Sequence, residues 1–162
     1  IEWWKLQWPR EEKIFTSPKI IACKWSKTNS FSYTENEWYY SVNITYITGN
    51  GSGSNNLMKY LLGLLNSKLY YYWFYHNGKK AGNRLMLDPK PIADTPIRYI
   101  SEDAQKSFIE IIDQILAITK SSDYSENPAK KDEVKEHENQ INQMIYKLYE
   151  LAPEEIAIVE GS

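Results

Sequence analysis

The apolar residues change their spacing once along this chain, near Asn55, and that change dictates a mixed fold. Before it they alternate. Lys19 to Trp25 predicts one strand and Asn43 to Thr48 another, while Phe31–Thr34 and Trp38–Tyr40 flank a turn at Glu35-Asn36-Glu37. These runs are rich in Ile, Thr and aromatic side chains, which suit a pleated, half-buried surface. Gly49-Asn50-Gly51 ends the β-rich part, and Gly51-Ser52-Gly53-Ser54 reads as a flexible loop. After it, Leu57, Tyr60, Leu61, Leu64 and Leu65 share one helical stripe, with Ser54 or Asn55 as N-cap. Asn66-Ser67 opens a second helix, Lys68 to Tyr75, which His76-Asn77-Gly78 stops.

Leu85-Met86-Leu87 predicts a short strand, and Asp88 to Pro96, with three prolines, predicts an extended connector. The last third is helical. Ser101 caps a helix whose first turn holds Glu102 and Asp103, where the helix dipole favours acids. Phe108, Ile111, Ile112, Ile115 and Ile118 form its buried stripe. Residues 121–128 form a loop, and Pro128 suits a helix start. The next helix buries Val134, Ile141, Met144, Ile145 and Leu148, and a short helix runs from Pro153 through Val159. Two long helices joined by a short loop make an antiparallel hairpin. The expected fold is therefore α+β: a β-rich N-terminal part with an embedded long helix, then a C-terminal antiparallel helical hairpin. The expected division falls at residue 100, with a recognition domain over 1–100 and the hairpin and terminal helix over 101–162.

Charge divides at the same place. Residues 1–100 hold 13 Lys or Arg against 7 Asp or Glu, and residues 101–162 hold 6 against 14, so the net −2 conceals +6 beside −8. A polyanion is drawn to the first part and repelled by the second. Aromatics reach 14%; most of them suit strands and core, and any exposed rings can stack on bases, sugars or partner proteins. Trp3, Trp4 and Trp8 suit core positions or packing against an upstream domain. A single cysteine, Cys23, excludes an internal disulfide, and two distant histidines, His76 and His137, offer no metal-ligand spacing. The run from Leu57 to Tyr75 is too polar to span a bilayer, and the start, Ile1-Glu2-Trp3-Trp4, is not expected to be a signal peptide. The chain lacks an initiator Met and is expected to be a piece of a longer cytoplasmic protein.

Binding chemistry concentrates in two stretches. Lys79, Lys80 and Arg84 lie close together with Gly78 and Gly82, and Asn83 adds an amide. Glycine lets a backbone approach phosphate, Arg can grip the guanine edge with two hydrogen bonds, and Asn can read adenine. Lys24 and Lys27 flank Trp25 at a strand end, among Ser26, Thr28 and Asn29. A solvated turn and a Lys-guarded edge strand are the structural alternatives. No catalytic residue is assigned. No glycine-rich loop joins a strand to a helix, Glu11-Glu12-Lys13 lacks the acidic partner of a nuclease metal site, and Ser, His and Asp form no triad pattern.

Several stretches together resemble one family. They are Pro18-Lys19-Ile20-Ile21, Phe31-Ser32-Tyr33, the run from Tyr60 through Leu65-Asn66-Ser67-Lys68, and the basic stretch leading to Pro96-Ile97. The tail, Tyr146 to Leu151 and Glu154 to Glu160, follows. Over most of its length the chain resembles the TaqI-like C-terminal specificity domain of bacterial restriction-modification enzymes. The resemblance implies a non-catalytic target recognition domain that binds double-stranded DNA. Its implied partner is an upstream methyltransferase domain that moves a methyl group from S-adenosylmethionine to adenine, in some members with a nuclease and its Mg2+ as well. This chain lacks the family's Asn-Pro-Pro-Tyr motif: Asp88-Pro89-Lys90-Pro91 has neither paired prolines nor the aromatic that stacks on a flipped base. No cofactor is expected here. The expected DNA contacts are Lys79, Lys80, Asn83, Arg84, Lys24 and Lys27, with the acidic hairpin docked on the methyltransferase or bracing the fold. The alternative is a protein-binding scaffold without DNA affinity, its aromatics forming the interface.

Overall fold

The computed structural model describes residues 11–37, 43–49 and 54–161. The strand expected at 38–40, the Gly-Ser loop at 51–53 and the three N-terminal tryptophans lie outside those residues. In chain order the elements are α1 (Lys13–Thr16), β1 (Lys19–Cys23), β2 (Trp25–Ser26), β3 (Phe31–Thr34), β4 (Ile44–Thr48), α2 (Ser54–Asn66), α3 (Lys68–Asn77), β5 (Lys79–Ala81), β6 (Arg84–Met86), α4 (Pro89–Ala93), α5 (Glu102–Thr119), α6 (Pro128–Leu148) and α7 (Pro153–Glu160). This is the expected α+β arrangement, with strands early and helices late. Ser54 and Asn55 both belong to α2, so neither is its N-cap.

The strands form two three-stranded sheets, ordered β3-β1-β4 and β2-β6-β5. In the first, β1 lies between two antiparallel neighbours, with Ile20 opposite Tyr33 and Ile47. Opposed residues share a face. Ile20, Ala22, Phe31 and Tyr33 thus form one buried surface. Lys19 is also buried. Its ammonium donates to the carbonyls of Phe15 and Asn36 at 2.8 and 3.3 Å, tying α1 and the 35–37 turn to the sheet. Burial holds that ammonium below the usual lysine range, against the opposing pull of Glu37.

The single strand expected from Lys19 to Trp25 is broken at Lys24. The Lys24 N–H donates to Asn43 at 2.8 Å, beside the first sheet, whereas its C=O accepts from Leu87 at 2.8 Å, beside the second. One residue therefore hands the chain from one sheet to the other. Apolar alternation continues through this point and gives no sign of the change of partner.

Helix α2 occupies the centre. Met58, Tyr60, Leu62, Leu64 and Leu65 are buried, while Leu57, expected on the stripe, is exposed. α2 is covered on more than one side, by β3 and by α5 and α6, so a one-faced reading was too narrow. The Tyr60 ring meets Phe108 of α5 edge to face, centroids 5.4 Å apart. In α5 and α6 the expected stripes hold: Phe108, Ile112, Val134, Ile141 and Ile145 are buried, and the other expected positions are half-buried. Ser101 caps α5 and Asn127 caps α6, each side chain accepting a backbone N–H of the first turn. α7 closes the fold through Glu160, which pairs with Lys68 and accepts from the Tyr146 hydroxyl at 2.7 Å.

The connector from Asp88 to Pro96 is not wholly extended, because Pro89–Ala93 make a helical turn. Both Pro89 and Pro91 sit in that first turn, where a backbone N–H has no helical partner and its loss costs nothing. Among the described residues, no helix is long and apolar enough to cross a membrane.

Candidate nucleic-acid interface

The Leu65-Asn66-Ser67-Lys68 segment turns out to be a joint. The Asn66 amide donates to Phe31 O at 3.0 Å and accepts from Phe31 N–H at 2.8 Å, pairing with the edge of β3 as another strand would. Ser67 donates to Leu64 O at 2.7 Å and accepts from Tyr70 N–H at 3.3 Å, closing α2 and opening α3. Asn29 spans the same joint, donating to Leu65 O at 2.6 Å and Ser67 O at 2.9 Å. Asn142 of α6 accepts the Lys68 N–H at 2.9 Å. Buried polar groups persist only when satisfied, and here they hold the angle at which α3 leaves the core.

The end of α3 feeds directly into β5. Gly78 N–H closes the helix on Phe74 O at 2.9 Å, and a Cβ at this position would lie 2.5 Å from that same carbonyl. A side chain here would push the helix end and the strand apart. The stretch from Gly78 to Arg84, expected as a loop, is in fact mostly a β-hairpin. β5 pairs with β6 from Lys79 opposite Met86 to Ala81 opposite Arg84. Gly82 turns the chain with φ +60°, the positive value that the first residue of a type II′ turn demands. Lys-Lys-Ala carries no apolar alternation, so the strand is made by its neighbours.

The second sheet gathers the six expected DNA contacts. β2 pairs with β6, Trp25 opposite Met86 and Ser26 opposite Leu85, so Lys24 and Lys27 flank one edge strand while Lys79 and Lys80 lie on the other. Asn83 and Arg84 sit at the turn between β5 and β6. Register divides the side chains between two faces. Trp25, Met86, Lys79 and Arg84 share one, and Ser26, Leu85 and Lys80 share the other. Leu85 is buried, so the second face covers the core at β6, while Lys80 on the same face at the sheet's edge is exposed. Lys79, Asn83 and Arg84 are exposed. Lys24 differs, since its ammonium lies 3.0 Å from an Asp88 carboxylate oxygen. Among the described residues, no acidic side chain pairs with Lys27, Lys79, Lys80 or Arg84.

An aromatic group beside this sheet was not among the expected contacts. The Lys80 ammonium sits 3.8 Å from the centre of the Tyr75 ring. Tyr75 meets Tyr71 and His76 at centroid distances of 6.0 and 5.2 Å, and Tyr72 packs on His76 at 4.2 Å. Tyr75 and Trp25 are each 40% exposed. A sequence signal for this region exists: residues 38–87 contain five Lys or Arg and no Asp or Glu. Fifty consecutive residues without a carboxylate give this stretch of chain no charge of its own to repel a phosphate chain.

Residues 1–97 match the TaqI-like C-terminal specificity domain. The chain belongs to that family. This TaqI-like domain has a DNA-recognition role in restriction-modification enzymes, and by family its part there is not catalytic. The match covers both sheets, α2, α3 and the hairpin, and it ends before α5. The tail segments 146–151 and 154–160, expected at the family's ending, lie outside the matched residues. No curated protein is a significant match to this TaqI-like chain. Among its described residues, no group of three or more His, Cys, Asp or Glu is arranged to hold a metal ion.

Proposed function

We propose that the small sheet of this TaqI-like domain is its reading head, with the β5–β6 hairpin entering the major groove of duplex DNA. A two-stranded ribbon fits that groove. The observation that carries the reading is the meeting, on one sheet, of two cationic stretches far apart in sequence. Arg84 and Asn83, at the exposed turn, take base edges. Lys79, Lys80 and Lys27 take phosphates and set register. Lys24 contributes least, because Asp88 already shares its charge.

In this reading residues 1–100 recognise the target and 101–162 turn away from it, docking on an upstream adenine methyltransferase domain. That domain would hold S-adenosylmethionine, and an endonuclease domain with Mg2+ is compatible with the same arrangement. The charge division supports the orientation.

The test is duplex binding by this chain over a salt series, with Lys79, Lys80 and Arg84 changed together to Ala. Each lost phosphate contact lowers the slope of log K against log salt by about 0.9. Lys79 and Lys80 are the phosphate contacts among the three, so the triple variant should show a slope lower by about 2 and should abolish methylation by the full-length enzyme, with unchanged thermal unfolding. Duplex binding or methylation equal to the parent chain's would remove the hairpin from recognition.

A further inference from the structure

The aromatic end of α3 has no task in duplex reading. Tyr75 lies on the Lys80 side of the hairpin, with His76 beside it and Tyr72 packed on His76, whereas Lys79 and Arg84 belong to the other face of the sheet. His76 is exposed and is backed by the half-buried Tyr72 ring at 4.2 Å. Tyr75 meets His76 edge to face and carries the Lys80 ammonium over its ring. The nearest carboxylates in sequence are Glu37 and Asp88, and Asp88 is paired with Lys24.

Exposed rings in mutual contact beside unpaired cations form the pattern that binds a nucleic acid strand without a complement. Each ring offers a π-face to a base, and each cation offers a partner to the adjoining phosphate. A paired base within a duplex has both faces covered by its neighbours. A surface of stacked rings therefore finds no such face on intact duplex and finds one wherever a strand is open. A protein partner fits less well, because four cations (Lys27, Lys79, Lys80 and Arg84) crowd the same small sheet and interface cores are depleted in Lys.

We propose that the Tyr72-Tyr75-His76 group is a second nucleic-acid site, one that stacks on an unpaired base of single-stranded DNA while Lys80 holds the adjoining phosphate. The proposal rests on the reading that the small sheet faces DNA, and it adds an activity that reading does not require. The two sites share Lys80, so the variants that separate them change the rings alone.

The experiment measures anisotropy of a labelled oligothymidylate and, in parallel, of a labelled duplex, with this chain and with its Tyr75→Leu/His76→Leu variant. The parent chain should bind both. The variant should lose about tenfold or more in affinity for the single strand and stay within about twofold on duplex. A second variant, His76→Phe, keeps a stacking face without the imidazole and should retain single-strand binding. Duplex binding without single-strand binding by the parent chain overturns this proposal and leaves the hairpin reading standing. Equal single-strand affinity of the parent and the Leu variant also overturns it. Failure to bind either probe overturns both.

Discussion

Tyr70 shows how single side chains hold this molecule together. Its hydroxyl donates to Pro96 O at 2.7 Å and lies 2.5 Å from the Tyr149 hydroxyl, which the Arg98 N–H reaches at 2.9 Å. Each hydroxyl has one proton, so the order is forced: Arg98 to Tyr149, Tyr149 to Tyr70, Tyr70 to Pro96. Tyr60 adds a bond to Arg98 O at 2.8 Å. The irregular stretch after α4 is thereby fastened to α2, α3 and the end of α6. Burial pushes the Tyr60 phenol up to about 12, and burial with the Tyr149 hydrogen bond pushes Tyr70 higher still. An unfolded tyrosine ionises near 10, so above that pH the unfolded chain binds fewer protons than the folded one. This contribution to stability is whole below about pH 10 and is lost as pH rises towards 12. Urea midpoints measured at intervals across that range should fall steadily. A midpoint as high at about pH 11 as at about pH 9 would mean that these phenols are not buried in solution.

At the scale of elements, the hairpin depends on one backbone angle. Gly82 has φ +60°, and an added Cβ there would meet nothing within 4 Å. Gly82→Ala thus introduces no clash and isolates the conformational cost, about 1–2 kcal/mol for a side chain held at positive φ. The expected outcome is faster amide exchange confined to β5 and β6, and weaker duplex binding, with the global unfolding midpoint little changed. Exchange that stays as slow as in the parent chain would show that the turn does not govern the strands. The glycine was visible in the sequence, but the hairpin was not. Lys79-Lys80-Ala81 has no apolar face, and its strand exists because Leu85 is buried and β6 pairs with β2 as well. The helices were legible because their stripes repeat over several turns, as Phe108 and Ile112 do in α5. The break at Lys24 was not, because a strand that changes partners keeps its alternation. Of the candidate site, the cations were visible in the sequence while their meeting on one sheet was not, since pairing β2 with β6 joins positions some sixty residues apart.

At the scale of the whole molecule, the family match stops at residue 97 but the core does not. Tyr60 packs on Phe108, and Gly63 lets Ile112 and Ile141 approach α2, so α5 and α6 finish the core that α2 begins. The outer surface of α6 carries charges of both signs, with Lys131 and Lys135 exposed among its carboxylates. Asp132, Glu133 and Glu136 are exposed there, and no ion pair among the described residues involves them. We expect this surface to lie away from bound DNA, and salt makes that expectation measurable. Fields between exposed charges reach about 30 Å at 0.01 M salt but only about 8 Å at 0.15 M. Distant carboxylates slow a polyanion at low salt and are screened at physiological salt. The triple change Asp132→Asn, Glu133→Gln, Glu136→Gln should therefore speed duplex association several-fold near 0.01 M and leave affinity within about twofold near 0.15 M. Carboxylates beside the DNA would act within the shorter screening length as well. A gain of about tenfold or more at 0.15 M would place α6 next to the duplex and would overturn the division into a cationic reading head and an anionic far side.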